Sequence, residues 1–152
     1  MTDTNNKLED INVREFRPGD YEAVMALWQV SRLPFKPGGR DSRDKVIKEA
    51  VQETATFLVA ESAGRLVGTV LATHDGRKGW INRLAVAPEF RHRGIARLLL
   101  EKAEDSLYRR GLEIITCLIE DDNPGSMAFF QRAGYVKHTD IIYFSKRKHE
   151  DV

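Results

Sequence analysis

The sequence predicts a mixed α/β (α+β) domain, with a mostly antiparallel sheet, one parallel strand pair and flanking helices. Three observations predict it. β-rich runs at residues 56–61, 66–73 and 80–86 follow one another with only turn residues between them, so they pair antiparallel. A helix-spaced apolar series, Ile95, Leu98, Leu99, Ala103 and Leu107, then separates the third run from the apolar stretch 114–119. Strand, helix and strand in that order form a β-α-β unit with parallel strands and a right-handed crossover.

Each element has its own signal. Residues 11–17 read as a short strand that Pro18-Gly19-Asp20 breaks before capping a helix over 21–31, whose inward stripe is Val24, Leu27, Trp28 and Ser31. Two prolines and two glycines between Leu33 and Arg40 interrupt every period, so that segment is a loop, and a second helix follows over 42–52. Ser62-Ala63-Gly64-Arg65 marks a hairpin and Asp75-Gly76 the next turn. Arg109-Arg110-Gly111 ends the long helix that starts near Gly94. Asn123-Pro124-Gly125-Ser126 opens a short helix over 126–133, Gly134 ends it, and a final β-rich run covers 135–145.

Composition narrows the function. The net charge of +1 comes from 24 basic and 23 acidic residues, so no global basic excess points to nucleic acid or an anionic membrane. One cysteine, Cys117, excludes an internal disulfide framework, and no apolar run approaches the ~20 residues of a membrane span. Residues 1–10 are polar and lack a signal-peptide core, so the expectation is a flexible start, a single domain over 11–148 and a cytoplasmic location. No His/Cys/Asp spacing suggests a metal site.

The most informative stretch is Arg91-His92-Arg93-Gly94-Ile95-Ala96. It joins the strand Leu84-Ala85-Val86 and its following Ala87-Pro88 to the long helix. A glycine and a small residue two places later, at the start of a helix, let backbone N–H groups approach an anion under the positive end of the helix dipole. Arg91, Arg93 and Arg97 strengthen the field there. The conservative alternative is a plain helix start with solvated arginines. Neither the dinucleotide fingerprint nor a loop ending in Gly-Lys-Ser or Gly-Lys-Thr is present.

The order Leu-x-Val, Pro, then Arg-x-x-Gly-x-Ala resembles the hallmark of the GNAT superfamily of N-acetyltransferases. Asn123, Ser126, Phe129, Phe130, Arg132 and Gly134-Tyr135 resemble a second block of the same family in spacing. The resemblance covers residues 11–146. It implies acetyl-CoA as cosubstrate without a metal: pyrophosphate on the amides of residues 91–97, and pantetheine along Leu84, Ala85 and Val86 where the parallel strands splay apart. It also implies contacts from Asn123, Ser126, Phe130 and Arg132. The reaction implied is direct transfer of an acetyl group to a primary amine of a small molecule or a protein. A homodimer is compatible with this reading, whereas nucleic acid and membrane are not expected partners.

The proton-transfer groups are where this chain departs from the family. The tyrosine that usually protonates the leaving thiolate aligns with Phe130, which has no proton to give. Tyr135 and Tyr143 are substitutes, each also readable as a structural strand residue. The strand at 80–86 lacks the usual glutamate, which leaves Glu120, Asp121 and Asp122 as base candidates, although an acidic turn before a helix is common. His74 sits at a turn, and Cys117 reads as an inert buried thiol. A catalytically idle acyl-CoA-binding module is the alternative that these departures favour. Arg32, Lys36, Arg40 and Arg43 near the irregular loop hint at an anionic acceptor, and Phe35 reads as a lid or an anchor.

Overall fold

A computed structural model describes residues 8–152. The elements are β1 (Ile11–Glu15), α1 (Tyr21–Val30), α2 (Arg43–Ala50), β2 (Ala55–Ser62), β3 (Arg65–His74), β4 (Gly79–Val86), α3 (Ile95–Tyr108), β5 (Ile115–Cys117) and α4 (Pro124–Arg132). The sheet runs β1-β2-β3-β4-β5, antiparallel throughout except for the parallel β4–β5 pair. This is the predicted class. Of the N-terminal segment 1–10, residues 1–7 lie outside the described residues. Leu8 accepts a hydrogen bond from Ile11 N at 3.1 Å and packs on the core.

β2, β3 and β4 form the meander that the turns dictate. Ala63 and Gly64 both take positive φ, 50° and 80°, which gives a two-residue hairpin its twist. α3 lies across this meander with Ile95, Leu99, Leu100, Ala103 and Leu107 buried. Its approach is close because two strand residues lack side chains. A Cβ on Gly79 would lie 2.6 Å from Leu107 Cδ1, and one on Gly68 would lie 2.9 Å from Leu99 Cδ1. α1 turns Val24, Leu27 and Trp28 into the core, as its stripe predicts.

Two expectations need correction. The stretch 114–119 is a strand only at Ile115–Cys117, because β4 accompanies it no further than the Ile81 and Cys117 pair. The β-rich run 135–145 forms no strand. It bends at Thr139 and Asp140, and Val136, Ile141, Ile142, Tyr143 and Phe144 remain exposed. β-propensity expresses fit to a half-buried pleated surface, and an edge with only three laddered residues offers little such surface.

Candidate acyl-donor site

The site lies where β4 and β5 part. Their ladder holds Gly79 to Ile115, Trp80 to Thr116 and Ile81 to Cys117, and then stops. From Asn82 to Val86, β4 is paired only with β3 and has one open edge.

A bulge in that segment sets the direction of one peptide. The β3–β4 register shifts between Thr69 and Leu71, and Arg83 takes φ 54°, unusual for a non-glycine residue in a strand. Its carbonyl oxygen accepts the Thr69 hydroxyl at 2.8 Å, and Thr69 Oγ1 in turn accepts Trp28 Nε1–H at 3.0 Å. In a trans peptide the C=O and the next N–H point in opposite directions. With the Arg83 carbonyl turned toward β3, the Leu84 N–H faces the gap between β4 and β5.

The loop after β4 supplies a row of amides. Arg91 N bonds to Pro88 O, and Leu98 N is the first helical donor, bonding to Gly94 O at 3.0 Å. Between them, the amides of His92, Arg93, Gly94, Ile95, Ala96 and Arg97 have no acceptor among the described residues. His92 and Gly94 both have positive φ, 62° and 87°, and alternation of this kind gathers successive N–H groups into an anion-binding nest. The glycine is needed for this backbone conformation. A Cβ at Gly94 would meet only the Leu8 methyl carbons, at 3.7 and 3.8 Å, so within the protein the demand for glycine here is conformational.

The side chains of the loop are partly committed elsewhere. Arg91 Nε donates to Val86 O at 3.2 Å, Arg93 lies over the Phe90 ring at 4.9 Å, and Arg97 pairs with Glu101 at 3.0 Å. Arg65 also stacks on Phe90 and bonds to Glu89. Ile95 is buried in the core, so only its amide is available. Ala85 and Val86 are buried, and Leu84 is half-buried.

After β5, Asn123 caps α4 by accepting Ser126 N–H at 3.1 Å, and its amide nitrogen has no partner among the described residues. Phe130 is buried, edge-on to Phe129 and Tyr135 with centroids 5.3 and 5.0 Å away. Tyr135 donates its hydroxyl to Glu104 at 2.8 Å, and burial, with that bond, pushes the phenol well above its ordinary range. Tyr143 is exposed. Glu120, Asp121 and Asp122 form an exposed turn closed by Asn123 N on Glu120 O, and Arg132 is exposed on the last turn of α4. Cys117 is half-buried in β5, and burial raises its thiol to about 11. No group of three or more metal-ligating side chains occurs among the described residues.

The irregular loop is held by a side chain that sequence reading passed over. Arg83 donates to both carboxylate oxygens of Asp41, at 2.8 and 2.9 Å, and to Pro34 O. Its guanidinium lies 4.7 Å from the Trp28 ring centroid. Asp41 also accepts Lys36 N–H at 2.8 Å, and its carbonyl accepts the Tyr21 hydroxyl at 2.7 Å. Phe35 packs edge-on to Trp28 at 6.1 Å, so it is an anchor. Arg40 also approaches Asp41, and Arg43 approaches Glu22, so much of the loop's positive charge is met internally.

Residues 21–135 match the acetyltransferase (GNAT) family, and the chain belongs to it. Several solved structures share the fold. The PaiA N-acetyltransferase of Thermoplasma acidophilum, solved in complex with coenzyme A, is 22% identical over 86% of this chain and 92% of its own, with a TM-score of 0.76. Glucosamine-6-phosphate N-acetyltransferase of Arabidopsis thaliana is 17% identical over 93% and 100%, at 0.73. The ribosomal-protein-S18-alanine N-acetyltransferase of Escherichia coli is 18% identical over 85% and 79%, at 0.71.

Proposed function

We propose that the protein is an acetyl-CoA-dependent N-acetyltransferase that transfers an acetyl group directly to a primary amine of a small molecule or a protein. The observation that carries this reading is the row of unpartnered amides from His92 to Arg97, placed where β4 opens away from β5. A doubly charged pyrophosphate satisfies such a row together with the N-terminal dipole of α3. The open edge of β4 offers main-chain groups to an extended pantetheine arm, and Asn123 and Ser126 stand at the start of α4, the helix that follows β5.

In this reading the amine nitrogen attacks the thioester carbonyl carbon. The C–N bond forms and the C–S bond breaks. Negative charge develops on the carbonyl oxygen, and the outward Leu84 N–H is oriented to donate a hydrogen bond to it. One such donor is worth roughly 10²- to 10³-fold in rate. The ammonium proton passes to a base, for which Glu120, Asp121 and Asp122, in the turn after β5, are the candidates. The thiolate takes its proton from solvent, because Phe130 has none and the Tyr135 hydroxyl is committed to Glu104. Holding both reactants in one gap supplies much of the remaining acceleration.

The same two side chains favour a second reading, an idle acyl-CoA-binding module. Titration calorimetry with acetyl-CoA, followed by thiol release in the presence of an amine panel, separates the two. Binding with amine-dependent release supports the transferase. Binding with no release above hydrolysis supports the idle module, and absence of binding overturns both.

A further inference from the structure

We propose that Arg83 is a positioning residue for the acceptor side of the site, joining the irregular loop at 33–41 to the peptide that faces the acyl group. The inference rests on the transferase reading above, and its geometry stands apart from it. Arg83 has two roles because it sits at the bulge of β4. Its main chain, at φ 54° and with its carbonyl on Thr69, turns the Leu84 N–H toward the gap. Its side chain grips the loop at both ends. It holds Pro34 through the carbonyl oxygen and Asp41 through both carboxylate oxygens.

The grip is built to be specific. Asp41 is 5% exposed, and Arg83 Nη2 alone reaches both of its carboxylate oxygens while Nη1 reaches Pro34 O, so the two ends of the loop are held by two nitrogens of one planar group, which a lysine with its single nitrogen does not supply. The other face of the guanidinium lies over Trp28, whose indole N–H holds the Thr69 hydroxyl that fixes the Arg83 carbonyl. Trp28, Thr69, Arg83 and Asp41 therefore form one connected circuit from α1 through β3 and β4 to the loop. A shift of the loop acts on the bulge, and a shift of the bulge acts on the loop. An amine bound between the loop and the thioester is thereby registered against the Leu84 N–H by a single residue.

The test compares Arg83→Lys, Asp41→Asn and the double variant Arg83→Met/Asp41→Leu with the unaltered protein. The double variant replaces the pair by apolar groups, so neither charge is left buried alone. Loop fixation is read by limited trypsin cleavage after Arg32 and Arg40, because Lys36 precedes a proline. The double variant is expected to be cut about tenfold faster in the loop, with Arg83→Lys between it and the unaltered protein. Acetyl-CoA affinity by calorimetry is expected to stay within about twofold. With glucosamine 6-phosphate, spermidine and an alanine-initiated peptide as probes, the KM of any amine turned over is expected to rise by about tenfold or more. Unchanged loop cleavage overturns the proposal, as does acetyl-CoA affinity that falls in step with amine turnover. An unaltered protein that binds no acetyl-CoA removes the transferase reading, and the cleavage comparison still decides whether Arg83 holds the loop.

Discussion

Trp28 donates its indole N–H to Thr69 Oγ1 at 3.0 Å in the core, between α1 and β3. The contact has more than local effect, because the Thr69 hydroxyl hydrogen goes on to the Arg83 carbonyl at 2.8 Å. Thr69→Val keeps the shape and removes both the acceptor and the donor. We expect a loss of about 1–3 kcal/mol in stability, from a buried indole N–H left without a partner. We also expect turnover to fall by more than acetyl-CoA affinity does, because the bulge peptide loses its anchor. Urea denaturation and calorimetry on the same variant measure the two effects.

Gly94 has φ 87° at the N-terminal cap of α3. Gly94→Val places a β-branched residue in the left-handed region, which costs at least about 1–2 kcal/mol locally. The chain relieves that strain by rotating the amides of the nest. Acetyl-CoA affinity is therefore expected to fall by more than tenfold, whereas Arg97→Ala, which removes a side chain already paired with Glu101, is expected to lower it only a few-fold. Equal effects of the two changes in calorimetry would place recognition in the side chains.

Asp20 predicts an acid-sensitive contribution to stability. Two hydrogen bonds from Arg14, at 2.8 and 2.9 Å, and one from Arg17 N hold its carboxyl below the ordinary value, with burial opposing them. The unfolded chain binds the Asp20 proton more tightly than the native one. The contribution is thus complete above the unfolded value near ~4 and is lost as pH falls through the lower native value. Asp20→Asn should cost about 1–3 kcal/mol at pH 7 and flatten the slope of stability against pH below about 4. Thermal melts at successive pH values report that slope.

Cys117, with its thiol raised to about 11, is almost wholly protonated at neutral pH. Iodoacetamide at pH 7.5 should modify the native protein at least about tenfold more slowly than the unfolded chain. Mass spectrometry over time follows it. Rapid modification of the native protein would return Cys117 to the reactive groups.

The meander and the long helix were legible because period, turns and caps agree along residues 56–111. The β-α-β unit was legible for the same reason, and it marked the amide row. Hidden from sequence were contacts made by what is missing or distant. Gly68 and Gly79 look like weak strand residues, yet they admit Leu99 and Leu107 of α3. Arg83 carries no signal in the sequence of its partner Asp41, 42 positions earlier in the chain. The run over 135–145 shows the opposite failure, since its strand propensity is real and finds no partner edge.

The amide row at His92 to Arg97 has a consequence for mutational mapping. Every residue except proline supplies the same N–H, so if the row holds the pyrophosphate as proposed, an alanine scan across this loop would leave most of the binding surface untouched and score it as dispensable. The sensitive replacements there are those that alter the main chain: proline at any amide, or any side chain at Gly94. Substitutions of the loop arginines can accumulate around a recognition surface that does not change, and tolerance of a position in such a scan is no measure of its distance from the ligand.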